Sequence, residues 1–78
     1  MKFMLTTSSR RAINQIKAQM LKQYEEGDVN RFKLKFTKKK EFMAVPVPYF
    51  NGPSFQLFIN DKFYKTYFLH NNRWRGVS

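Results

Sequence analysis

The chain has 78 residues, with 15 lysines and arginines against five aspartates and glutamates, and it contains no cysteine. This length allows a single domain, residues 1–78, with a modest core, and the lack of cysteine excludes disulfides and thiolate chemistry. The formal net charge of +10 destabilises a compact monomer by self-repulsion, so we expect an anionic partner. No apolar run approaches the roughly 20 residues that span a bilayer, and we expect a soluble, cytoplasmic protein without membrane association.

The first predicted elements are a short strand over residues 2–6 and a helix over residues 9–26. Apolar side chains recur in the helical segment at spacings of three and four, which is typical of one buried face. Thr6 to Ser9 offer candidate N-caps, and Gly27 stands where a left-handed C-terminal cap belongs. The stripe expected to face the core consists of Ile13, Ile16, Met20 and Tyr24, flanked by Ala12 and Leu21.

Residues 31–37 alternate strictly between apolar and polar side chains, which predicts a half-buried strand. Phe32, Leu34 and Phe36 point to one side and form the safest core positions, while cations and Thr37 point to the other. Three lysines at 38–40 then predict a charged turn.

A second extended segment is expected over residues 41–50. Pro46 and Pro48 cannot donate to a strand ladder, so this segment is predicted to lie at a sheet edge or to be partly irregular. Asn51 and Gly52 predict a hairpin turn, lengthened by the proline that follows.

The remaining segments predict strands over 54–59 and 62–70, with turns at 60–61 and 71–72. Residues 73–75 are expected to form a short last strand or a docked tail. The chain is therefore an α+β domain, with one N-terminal helix packed on a three- to four-stranded antiparallel β-meander. Aromatic residues fall on both faces of the last strands, and the sequence leaves open which face is buried.

The helix can cover one sheet face, so some rings should remain on an open face among cations. Rings that stack on bases beside cations that hold phosphates are typical of single-stranded nucleic-acid binding. We therefore expect a non-enzymatic module that binds RNA or single-stranded DNA, with RNA favoured and no metal or cofactor. The candidate stacking residues are Tyr64, Tyr67 and Trp74. The candidate nucleic-acid-binding cations are Arg10, Arg11, Arg31, Lys33, Lys35, Lys38, Lys39, Lys40, Lys65, Arg73 and Arg75.

Other interpretations remain open. All the rings could belong to the core or to a homodimer interface, and the lysine turn could be a solvated loop. A second hypothesis is a small viral- or plasmid-type inhibitor or antitoxin that binds an acidic surface of a host protein, with RNA as a co-ligand. A third is a toxin-like, metal-independent ribonuclease that uses His70, Tyr67, Lys65, Arg73 and Arg75. A permanently assembled ribosomal or virion component would have the same sequence features.

Overall fold

The computed structural model describes residues 7–47 and 52–78, which form one helix and five strands. The α+β class and the order of a helix followed by an antiparallel meander are confirmed, although the strands number five rather than three or four. The extra strand arises because residues 73–77 pair with residues 66–70, which confirms the predicted alternative of a short last strand over that of a docked tail. The predicted strand at 2–6 lies outside the described residues. The elements are α1 (Thr7–Glu26), β1 (Phe32–Thr37), β2 (Lys40–Pro46), β3 (Ser54–Ile59), β4 (Lys62–His70) and β5 (Arg73–Val77).

Helix α1 begins earlier than predicted and ends at the predicted cap. Because it starts at Thr7, Ser8 and Ser9 lie inside the helix rather than at its N-cap. Gly27 has φ of +74°, and its amide donates to the carbonyl of Tyr24 at 3.1 Å. The amide of Asp28 donates to the carbonyl of Gln23 at 2.7 Å, which completes a Schellman motif that satisfies two of the last carbonyls of the helix.

The buried face of α1 differs from the predicted stripe at its C-terminal end. Tyr24 is 55% exposed, so its predicted place in the core is wrong, whereas Gln23 is buried and its amide donates to the carbonyl of Asn30 at 3.0 Å. Tyr24 lies 100° of helical rotation beyond Gln23, which is enough to turn its ring into solvent. The apolar residues that α1 contributes to the core are Ala12, Ile13, Ile16 and Met20.

The five strands form one antiparallel sheet in the order β1-β2-β3-β4-β5. Strand β2 pairs with both β1 and β3, so the first predicted alternative, a sheet edge, is wrong. The second, a partly irregular segment, agrees with Val47, which lies outside the strand. Pro46 is the last residue of β2, where a missing amide donor interrupts no further pairing within that strand. Pro48 lies outside the described residues.

Two tight turns close the hairpins after β3 and β4. Asn60 and Asp61 have φ of +51° and +65°, and Asn71 and Asn72 have φ of +50° and +62°. Positive φ at both central residues is the signature of the type I′ turn, whose twist matches that of the strands. The turns predicted at these positions are therefore confirmed.

A bulge in β4 reverses the alternation that the sequence predicts. The register shifts between the Leu57–Lys65 and Phe58–Phe63 pairs, which leaves Tyr64 as an extra residue. Strict alternation would put Phe63 on the side opposite Phe58, whereas the bulge brings both rings to the same face. One inserted residue thus decides which rings share a surface.

The two faces of the sheet differ in what covers them. The helix-covered face carries the core, where Phe42, Phe55 and Leu57 are fully buried beneath α1. Phe32, Leu34 and Phe36 also pack against this core, but only half-buried, because β1 is an edge strand. The opposite face, called here the open face, carries no helix among the described residues.

Candidate nucleic-acid interface

A row of side chains crosses the open face on four adjacent strands. Cross-strand pairs link Lys33 of β1 to Met43, Met43 to Phe58, and Phe58 to Phe63 of β4. Three strand spacings make this row about 14 Å long. We call these four residues the aromatic row, after the two phenylalanine rings at its β3–β4 end.

The two rings of the aromatic row contact each other and remain accessible to solvent. Their centroids are 5.8 Å apart and their planes meet at 71°, an edge-to-face arrangement. Phe63 is 47% exposed, an unusual exposure for a phenylalanine, and Phe58 is half-buried. The exposed ring therefore presents an apolar surface held in place by its neighbour.

Cations stand at both edges of the open face. Lys33 and Lys35 are exposed on β1, and Arg73 and Arg75 are exposed on β5, where Arg75 pairs with Phe68. The two edges are four strand spacings, or about 19 Å, apart. Within residues 7–47 and 52–78, none of these four cations forms an ion pair with a carboxylate. Glu41 of β2 lies directly opposite Lys35, and the charges of Lys33, Arg73 and Arg75 are available to an external anion.

The other predicted cations lie around the margin or on the opposite side. Arg31 is exposed just before β1, and Lys38 and Lys39 are exposed in the β1–β2 turn. Lys40 points toward α1, where its ammonium donates to the Ser9 hydroxyl at 2.9 Å. Lys65 lies on the helix-covered face, with its ammonium 5.4 Å from the ring centroid of Tyr64. Arg10 and Arg11 are exposed on the first turns of α1.

The three rings predicted to stack on bases pack on the helix-covered side of the sheet, away from the open face. Tyr67 is 7% exposed and stacks on Phe55 with centroids 5.3 Å apart. Trp74 meets Phe55 edge-on at 5.4 Å, and Tyr64 packs against the same core. Tyr67 belongs to the core beneath α1, and Tyr64 and Trp74 are half-buried against it.

Sequence reasoning passed over the rings that the open face does carry. Phe58 and Phe68 could have been found by alternation, since each neighbours a buried residue of its own strand. Phe63 could not, because its position depends on the bulge at Tyr64.

Lys17 is a further residue that was not predicted to have a special environment. Its ammonium lies 4.9 Å from the ring centroid of Tyr67 on the helix-covered face. Burial and then the nearby charge of Lys65 lower the pKa of Lys17. Burial, reinforced by Tyr64, raises the pKa of Tyr67 to about 12. This cluster is structural in character, because Tyr67 is part of the core.

The residues suggested for a ribonuclease do not form one site. His70, Arg73 and Arg75 belong to the open face, whereas Tyr67 and Lys65 belong to the helix-covered face. In the described part of the chain, no three His, Cys, Asp or Glu residues are grouped as a metal site would require. Nor does that part contain a helix long and apolar enough to cross a membrane.

Comparisons with protein-family models, curated proteins and solved structures find no match to this chain.

Proposed function

We propose that this protein binds single-stranded nucleic acid on its open face, as a non-enzymatic module, with RNA as the first ligand to test. The observation that supports this most directly is the pair of rings in the aromatic row, Phe58 and the exposed Phe63, which lies between cations at the two sheet edges. Bases would stack on the rings, and the lysines and arginines would hold phosphates.

The exposed ring favours a ligand with accessible flat faces. Base–aromatic stacking contributes about 1–3 kcal/mol per base and tolerates any base, since every base has a π-face. In a duplex those faces are occupied by neighbouring base pairs, and proteins read the base edges in the grooves instead. A broad sheet with an exposed Phe63 therefore suits an unpaired strand better than a duplex.

The charge distribution favours a polyanion that crosses the sheet. A nucleic-acid strand that crosses the sheet would meet cations at both edges, which are about 19 Å apart. These cations are Lys33 and Lys35 on β1, and Arg73 and Arg75 on β5. Arginine also offers planar, bidentate contacts to phosphate. Such contacts would give affinity that falls steeply with salt.

The first experiment measures binding of a fluorescent ten-nucleotide oligouridylate by anisotropy. Phe63→Ala should weaken binding by about 5- to 150-fold, the equivalent of one stacked base. Tyr24→Ala is the matched control, because it removes a ring of similar exposure, 55% against 47%, from the helix instead. Equal affinities of the Phe63→Ala variant and the unchanged protein would refute the stacking role.

The second experiment measures how the same affinity depends on salt. Lys33→Gln and Arg75→Gln should each reduce the slope of log K against log salt by about 0.7, the value for one phosphate of a single strand. Lys22→Gln, an exposed lysine on α1, removes the same charge elsewhere and should leave the slope nearly unchanged. Repeating the titration with oligodeoxythymidylate compares RNA with DNA.

Failure of both oligonucleotides to bind at low salt would overturn the proposal. Two alternatives would then be tested directly. A pull-down partner that survives nuclease treatment would indicate an acidic protein surface as the ligand. A dimeric mass by light scattering, reduced by Phe63→Ala, would indicate that a second copy of the chain covers the open face.

A further inference from the structure

A small polar cleft lies between two hairpin tips at one end of the sheet. It is an open cleft of about 270 Å³ between the β1–β2 turn and the β3–β4 turn. Lys35 belongs both to this cleft and to the open face, two residues along β1 from Lys33 of the aromatic row, or about 7 Å. The cleft is lined by Lys35, Lys38, Lys39, Lys40, Glu41, Asn60 and Asp61.

Asn60 fixes the basic turn in place. Its side-chain oxygen accepts from the amide of Glu41 at 2.9 Å, and its side-chain nitrogen donates to the carbonyl of Lys39 at 3.0 Å. On the other side of the turn, the Thr37 hydroxyl accepts from the amides of Lys39 and Lys40, at 3.2 and 3.1 Å. A turn held at both ends needs little further ordering to bind a ligand.

The cleft carries a net positive charge. Four lysines and two carboxylates line it, which leaves three lysines against two carboxylates once Lys40, whose ammonium donates to Ser9, is set aside. The ammonium of Lys40 is bound to Ser9, so Lys35, Lys38 and Lys39 are the groups that reach solvent. An internal phosphodiester carries one negative charge, whereas a phosphate monoester carries about −1.5 to −2 at pH 7. Three ammonium groups that reach solvent can each contact one of the three terminal oxygens of a monoester, whereas an internal phosphodiester offers only two.

We infer that this cleft receives the terminal phosphate monoester of a nucleic-acid strand whose bases lie on the aromatic row. This inference rests on the proposed function, and it adds a terminal subsite to it. Lys35 would connect the two parts, with Lys38 and Lys39 holding the terminal phosphate beyond the end of the sheet. Charge-assisted hydrogen bonds from ammonium groups to phosphate are stronger than those between neutral groups.

The test compares three oligouridylates of equal length, carrying a 5′-phosphate, a 3′-phosphate or no terminal phosphate. The unchanged protein should bind one phosphorylated form about tenfold more tightly than the unphosphorylated form. Lys38→Gln/Lys39→Gln should reduce that preference to less than about twofold. The matched control is Lys22→Gln/Lys62→Gln, which removes two exposed charges from outside the cleft and should keep the preference.

The outcomes separate this inference from the proposed function. If the unchanged protein binds all three oligonucleotides equally, the terminal subsite is overturned while single-strand binding stands. If Lys38→Gln/Lys39→Gln weakens all three by the same factor, and more than the control does, the cleft holds internal phosphates and the terminal assignment is also overturned. If no oligonucleotide binds at all, both the proposed function and the subsite are overturned.

Discussion

Replacing Asn60 by glycine tests whether this side chain holds two hairpins together. Asn60 occupies the first central position of the β3–β4 turn, with φ of +51°, which glycine adopts without strain. The substitution removes hydrogen bonds of 2.9 and 3.0 Å to the neighbouring hairpin. Each contributes about 0.5–1.5 kcal/mol net, and both are exposed, so we expect a combined loss of about 1–2 kcal/mol.

Asn71→Gly is the matched control for this measurement. Asn71 occupies the same position of the β4–β5 turn, with φ of +50°, and its side chain forms no hydrogen bond with the described residues. Both variants gain the same backbone freedom in the unfolded chain, so that cost cancels between them. Urea unfolding should show Asn60→Gly less stable than Asn71→Gly by about 1–2 kcal/mol, or roughly 5–15 °C in Tm. Free energies of unfolding that agree within about 0.3 kcal/mol would refute the reasoning.

Two further predictions concern the helix and the core. Ile16→Ala should cost about 2–5 kcal/mol in urea unfolding because Ile16 is fully buried, whereas Tyr24→Ala, on an exposed ring, should cost less than about 1 kcal/mol; similar losses would contradict the observed burial. The raised pKa of Tyr67, about 12 against an ordinary 10.0, means that folding favours its neutral form. That stability is fully present below pH 10 and is lost as the pH rises through 12. The unfolding free energy of the unchanged protein should therefore fall relative to that of Tyr67→Phe over this range, and a constant difference would be inconsistent with the shift.

Local sequence signals predicted most of the elements. The bounds of β3 and β4 agree with the predicted segments, because both strands are rich in aromatic residues and end at two-residue turns, at 60–61 and 71–72. Gly27 ended the helix as predicted, since a left-handed cap needs little beyond a residue that tolerates positive φ. The alternation of apolar and polar residues alone also predicted that Lys33 and Lys35 lie on the side of β1 opposite its apolar residues.

The candidate site was predicted less well, for reasons that lie beyond local sequence. Tyr67 and Trp74 were chosen as rings near cations, yet both pack on Phe55 beneath the helix. Choosing between the two faces of β4 requires knowing which one α1 covers. Predicting the exposed position of Phe63 also requires knowing of the bulge at Tyr64. A bulge depends on the pairing with the neighbouring strand rather than on the sequence of the strand itself.

By itself, the sequence determined the class of fold, the turns and the excess of positive charge, because propensity, turn chemistry and charge belong to single residues and their near neighbours. Tertiary structure alone decided which rings face solvent and which cations share a surface with them. The register between β3 and β4 places Phe58 beside Phe63 on the open face. The hydrogen bond from Asn60 to Lys39 holds the β1–β2 turn, with its lysines, at one end of that face. Both arrangements depend on how the strands pair. Because side chains alternate between the two faces of a sheet, a shift of one residue in the pairing moves every side chain to the opposite face.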